Sequence, residues 1–128
     1  MSPDGSCVRL LIVDESTEAR ARLGEIFVGQ GWEVAGEASN ARDAVDLYAA
    51  VAPDVVITEI ALPDGDGFGL AEEIVRANPR AAIVVCSALA QADSVLRAIR
   101  SGARDFIVKP FQCSRVIRGI QTVLGRVA

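Results

Sequence analysis

VVITEI, residues 55–60, is the stretch on which the fold turns. Its apolar residues run together instead of alternating, as in a strand covered on both faces, and such strands belong to parallel sheets. Val8 to Val13 and Ala82 to Cys86 have the same character, and Trp32 to Gly36 and Phe106 to Val108 add two shorter runs. Between the runs the period changes to that of a helix. Leu23, Ile26, Phe27 and Gln30 share one face of a first helix, with Ser16 as N-cap and Gly29 and Gly31 as its stop. Ala44, Val45, Tyr48 and Ala52 mark a second helix closed by Pro53. Phe68, Ala71, Ile74 and Val75 mark a third, ending before Asn78-Pro79. Val95, Leu96 and Ile99 mark a fourth, stopped by Ser101-Gly102, and Val116, Ile117, Ile120, Val123, Leu124 and Val127 a fifth. Strand and helix alternate five times. That rhythm predicts an α/β protein, a single-domain, doubly wound (βα)5 three-layer sandwich around a parallel five-stranded sheet.

The 128 residues suffice for one core, with residues 8–128 as the domain and 1–7 as an N-terminal extension. A net charge of −4 disfavours a nucleic-acid surface, which needs clustered positive charge. No apolar run is long enough for a membrane span and residues 1–7 lack the pattern of a signal peptide, so a cytoplasmic protein is expected. Three cysteines, Cys7, Cys86 and Cys113, do not make a disulfide framework and read as reduced thiols. The chain has no histidine, which excludes histidine-based catalysis or phosphocarrier chemistry.

In an open parallel sheet, ligands sit beyond the carboxyl ends of the strands. Asp14 and Glu15 follow the first run, Glu59 ends the third, Ser87 follows the fourth, and Lys109-Pro110 follows the fifth. Each has an ordinary explanation when taken singly. Asp14-Glu15 suits a helix start, Ser87 a turn, and Lys109 a loop. Glu59 is harder to dismiss, because a carboxylate on a buried strand must be paired. Together, three carboxylates, a hydroxyl and an ammonium on one rim suit a hard cation such as Mg²⁺ and the oxygens of a phosphoryl group.

LLIVDE at 10–15, GWEVAGEASN at 31–40, PDVVITEIALPDGDG at 53–67, VVCSA at 84–88 and GARDFIVKPF at 102–111 resemble, in order, the blocks of response-regulator receiver domains of two-component signalling. The resemblance implies a flavodoxin-like strand order 2-1-3-4-5. It also implies that Asp14, Glu15 and the carbonyl of Ala61 hold Mg²⁺. Ser87 would be the switch hydroxyl, Phe106 the aromatic that turns inward on activation, and Lys109 the contact to the phosphorylated carboxylate. The bond to Pro110 would be cis.

The chain departs from the family at Glu59, where the family has the phosphoacceptor aspartate. One extra methylene carries the carboxylate into the space a phosphoryl group would fill. Three consequences stay open: partial mimicry of the phosphorylated state through Lys109 or Ser87, a docking or dimerisation module that no longer switches, or phosphorylation of Glu59 itself. The limit on mimicry is charge, since a carboxylate carries one negative charge and a phosphate roughly −1.5 to −2.

The family implies a histidine kinase or a downstream output protein as partner, met on the face of the fourth helix, fifth strand and fifth helix. Arg97, Arg100, Arg104, Arg115 and Arg118 lie in that region, which suits an acidic partner surface or a homodimer. Arg104 replaces the acidic residue of receivers that dimerise through salt bridges, which argues against that dimer mode. A flavodoxin-like electron carrier would repel its phosphate at Asp14-Glu15, and a P-loop enzyme would need a GxxxxGK[ST] motif that is missing. A binding module is expected, not an enzyme.

Overall fold

The computed structural model describes residues 7–125. The N-terminal extension expected over 1–7 lies outside those residues except for Cys7, as do the last three positions, Val127 among them. In chain order the elements are β1 (Arg9–Val13), α1 (Thr17–Gly29), β2 (Glu33–Ala38), α2 (Ala41–Val51), β3 (Val55–Thr58), β4 (Ala61–Leu62), β5 (Gly65–Asp66), α3 (Gly67–Ala77), β6 (Ile83–Ser87), α4 (Ala92–Arg100), β7 (Asp105–Val108) and α5 (Cys113–Val123). Five strands form a parallel sheet in the order β2-β1-β3-β6-β7. With the antiparallel β4–β5 hairpin set apart, this is the expected 2-1-3-4-5.

The unbroken apolar runs have a direct cause. Leu11, Val13, Val56, Ile83 and Val85 pack into one core with Ile74 and Phe106. Their strand neighbours Leu10, Ile12, Ile57 and Val84 pack into a second core with Phe27, Val116 and Ile120. Alternate residues of each strand thus face opposite layers, and both layers are apolar.

Local chemistry sets the helix ends. Ser16 Oγ accepts from the Ala19 N–H at 3.1 Å, Asn40 Oδ1 from Asp43 at 2.8 Å, and Asp66 Oδ1 from Gly69 at 2.8 Å, each satisfying an orphan amide of a first turn. Asp64, in the β4–β5 turn, accepts from the Ala41 and Arg42 N–H groups at 2.7 and 3.0 Å. Those two bonds hold its carboxyl below the usual range and tie the hairpin to the start of α2.

Two expectations need correction. The run 55–60 is not strand throughout: β3 stops at Thr58, and the hairpin that follows gives no apolar signal because each of its strands has two residues. The stripe assigned to the fourth helix is only partly inward. Ala98 is the buried residue of α4 and Val95 packs partly, whereas Leu96 and Ile99 are 49% and 48% exposed. Small Ala98 lets α4 lie close to the sheet, and the two larger residues turn outward.

Candidate functional site

The rim residues do converge. Asp14 follows β1 and is buried, Glu59 follows β3, Ser87 ends β6 fully buried, and Lys109 follows β7. Lys109 Nζ donates to Asp14 Oδ2 at 2.6 Å and to Glu59 Oε1 at 2.9 Å, so one ammonium joins two carboxylates that are 50 and 95 residues away in sequence. The side chains of Asp14, Glu59 and Lys109 are 5%, 13% and 21% exposed, which leaves little water to screen the cluster.

Every oxygen of the two carboxylates accepts a hydrogen bond. Asp14 Oδ1 accepts from the Ser16 N–H at 2.9 Å, and Glu59 Oε2 from the Ile60 N–H at 2.6 Å and the Ala61 N–H at 3.4 Å. The Ser87 hydroxyl accepts from the Leu89 N–H at 3.1 Å, which leaves its hydrogen for Glu59. The extra methylene of Glu59 is accommodated by folding its carboxylate back onto the backbone of the next two residues. Gly67 makes that loop possible: its N–H donates to the Ile60 carbonyl at 2.8 Å, and a Cβ there would collide with the Glu59 carbonyl oxygen.

Burial pushes the Glu59 carboxyl up, but the Ser87 hydroxyl, Lys109 and the Ile60 amide outweigh it and hold it below its ordinary 4.5. Burial likewise pushes Lys109 down, and Asp14 and Glu59 reverse this, leaving it above 10.5. The signs fix a window. The Glu59 contribution to stability is present above pH 4.5 and is lost as pH falls through its depressed folded value; that of Lys109 is present below pH 10.5 and is lost as pH rises through its raised one. Urea midpoints are therefore expected to fall more steeply below pH 4.5 in the wild type than in Glu59→Gln. Equal slopes in the two proteins would disprove the linkage.

Glu15 is exposed, and Ala61 sits in β4 beside Glu59. Among the described residues no three carboxylate or thiol side chains converge as a metal set. With their oxygens on Lys109 and on amides, Asp14 and Glu59 would have to release one of these partners to take up a hard cation such as Mg²⁺. The Lys109–Pro110 bond is cis. Phe106 is buried in the core with Ala98 and Val85.

Residues 10–121 match the family model for the response regulator receiver domain. The chain belongs to the response-regulator receiver family. As a receiver it is a signalling module of the two-component and chemotaxis type. It is 46% identical to the chemotaxis protein CheY of Thermotoga maritima over 90% of this chain and 96% of that protein. It is 42% identical to CheY of Bacillus subtilis over 91% and 98%. Among solved structures, CheY in the CheX–CheY–BeF3–Mg²⁺ complex of Borrelia burgdorferi superposes with a TM-score of 0.91 at 28% identity, covering 96% of this chain and 94% of that one. The non-phosphorylated HemR receiver of Leptospira biflexa gives 0.83 at 32% identity, covering 91% and 94%.

Two features of this receiver were not legible in its sequence. An apolar groove beside Lys109, lined by Ala19, Ala88, Pro110 and Phe111, runs between α1 and the loop after β7, with the Arg22 guanidinium 5.5 Å from the Phe111 ring centre. Three arginines of the basic face also have local partners. Arg97 lies 4.5 Å over the Phe68 ring, Arg104 donates to the Arg80 carbonyl at 2.9 Å, and Arg115 pairs with Asp105 at 3.1 Å. Arg97, Arg100, Arg104 and Arg118 are all exposed on this face, as are Leu96, Ile99 and Val108, and Arg100 and Arg118 carry their charge without an ion pair among the described residues.

Proposed function

We propose that this receiver works as a protein–protein signalling module whose pocket Glu59 holds in one arrangement without phosphorylation. The observation that carries this is the Lys109 ammonium bridging Glu59 and Asp14. In the family, Lys109 and Ser87 correspond to groups that contact the phosphorylated aspartate. Here both turn to Glu59, and Phe106 is buried inward, as the resemblance implies for the activated state. The ammonium does the neutralising for which the family uses Mg²⁺, so the module needs no metal to keep its carboxylates together.

Output passes through α4, β7 and α5. Leu96, Ile99 and Val108 supply the apolar contact, and Arg100 and Arg118 select an acidic partner over a second copy, which would set like charges against each other. A cytoplasmic location and a histidine kinase or output protein as partner follow from the family.

The test is a titration of the wild type with beryllofluoride and Mg²⁺, followed by amide NMR. No saturable change at Ser87 or Lys109 is expected, because both already engage the Glu59 carboxylate. Saturable shifts there would overturn the reading.

A further inference from the structure

Arg20, on α1, belongs to none of the family motifs discussed above, yet most of its guanidinium is turned inward. Nη1 donates to the Asp14 carbonyl at 2.6 Å and to the Glu15 carbonyl at 3.3 Å, and Nη2 to Thr17 Oγ1 at 3.4 Å. Nε donates to Glu37 Oε1 on β2 at 3.1 Å. The Arg20 side chain is 17% exposed, against 50% for Glu37. As a surface ion pair, Arg20–Glu37 would be worth little. Its geometry indicates another use. Asp14 and Glu15 lie just past the end of β1, where the sheet no longer supplies partners for their carbonyls, and Arg20 Nη1 serves both while the other guanidinium nitrogens hold Thr17 and Glu37.

We propose that Arg20 is a positioning residue for the pocket, fixing the backbone after β1 so that the Asp14 carboxylate meets Lys109. Asp14 is steered at three points. Its N–H donates to the Ala38 carbonyl at 3.0 Å, its carbonyl is held by Arg20, and its Oδ1 by the Ser16 N–H, two residues along the same loop. With all three in place, Oδ2 is presented to Lys109 at 2.6 Å. Glu37 orients the guanidinium from the neighbouring strand, so β2 acts on the site twice, directly through the Ala38 carbonyl and indirectly through Arg20. This inference rests on the Lys109-bridged pocket proposed above.

The test uses NMR of the full chain and reads the two halves of the bridge separately, through hydrogen-bond correlations from Lys109 Nζ to the carboxylate carbons of Asp14 and of Glu59. In Arg20→Ala the Asp14 correlation should vanish while that to Glu59 persists. Ser16 amide exchange should rise roughly twofold to tenfold more than that of the core amides, the scale of one hydrogen bond. Arg20→Lys, which keeps the charge and loses the fork, should shift both readouts in the same direction. It also serves as the test if Arg20→Ala does not fold. A uniform rise in exchange with the Asp14 correlation intact would show only a structural role and overturn the proposal, as would a wild type with no Asp14 correlation. A wild type with the Asp14 correlation alone would instead remove the Glu59 half, and with it the proposed function, while the Arg20 effect on Asp14 would still be read.

Discussion

Lys109→Met is expected to cost about 3 kcal/mol of folding stability, measured by urea denaturation near neutral pH. Methionine preserves most of the side-chain volume, so the loss would be that of charge and not of packing. Removing the ammonium leaves Asp14 and Glu59 side by side with side chains only 5% and 13% exposed and no cation between them. Breaking a buried pair by deleting one partner costs roughly 3–5 kcal/mol. The lower end applies because the Lys109 side chain is itself 21% exposed and partly screened. Against a typical domain stability of about 5–15 kcal/mol, this is a large fraction. Adding Glu59→Gln to Lys109→Met should recover part of the loss, since only one carboxylate then remains unpaired. A cost below about 1 kcal/mol for Lys109→Met would mean that the bridge is solvated and does not hold the pocket.

The second large effect is a gain. Glu59→Asp should be phosphorylated by acetyl phosphate in the presence of Mg²⁺, on the order of a hundredfold faster than the wild type, read as intact mass against time. Shortening the side chain by one methylene draws the carboxylate back from Lys109, which it now meets at 2.9 Å, and leaves the ammonium for an incoming phosphoryl group. Transfer needs near-attack geometry, and a misplacement of about 1 Å costs on the order of a hundredfold. Glu59→Ala, with no nucleophile, should remain unmodified. If wild type and Glu59→Asp are modified at the same rate, Glu59 is a working phosphoacceptor and the receiver is an ordinary switch. If neither is modified, the pocket has diverged at more than this one position.

The class of fold could be read from the unbroken run at 55–58 and its counterparts, because strands covered on both faces leave no polar alternation. The candidate site was legible too. Asp14, Glu59, Ser87 and Lys109 each end or follow a strand, and a parallel sheet brings such positions to one rim whatever their separation in sequence. The departure at Glu59 was equally visible.

Other features depended on where side chains go once the layers pack. The turn after β1 leaves the Glu15 side chain exposed and gives its carbonyl to Arg20, which residue type alone does not announce. Nothing in the spacing of Arg20 and Glu37 announces a contact with that turn, because 17 residues and a β-strand edge separate them. Leu96 and Ile99 fit an inward stripe by period alone. Only the seat of α4 on the sheet, with Ala98 beneath it, decides that they face outward beside Val108. Periodicity and residue type determine which elements form and which of their ends carry chemistry, since both act over a few residues. Which oxygen meets which cation is a tertiary matter, because the Lys109 bridge joins three loops that come together only when the sheet is complete.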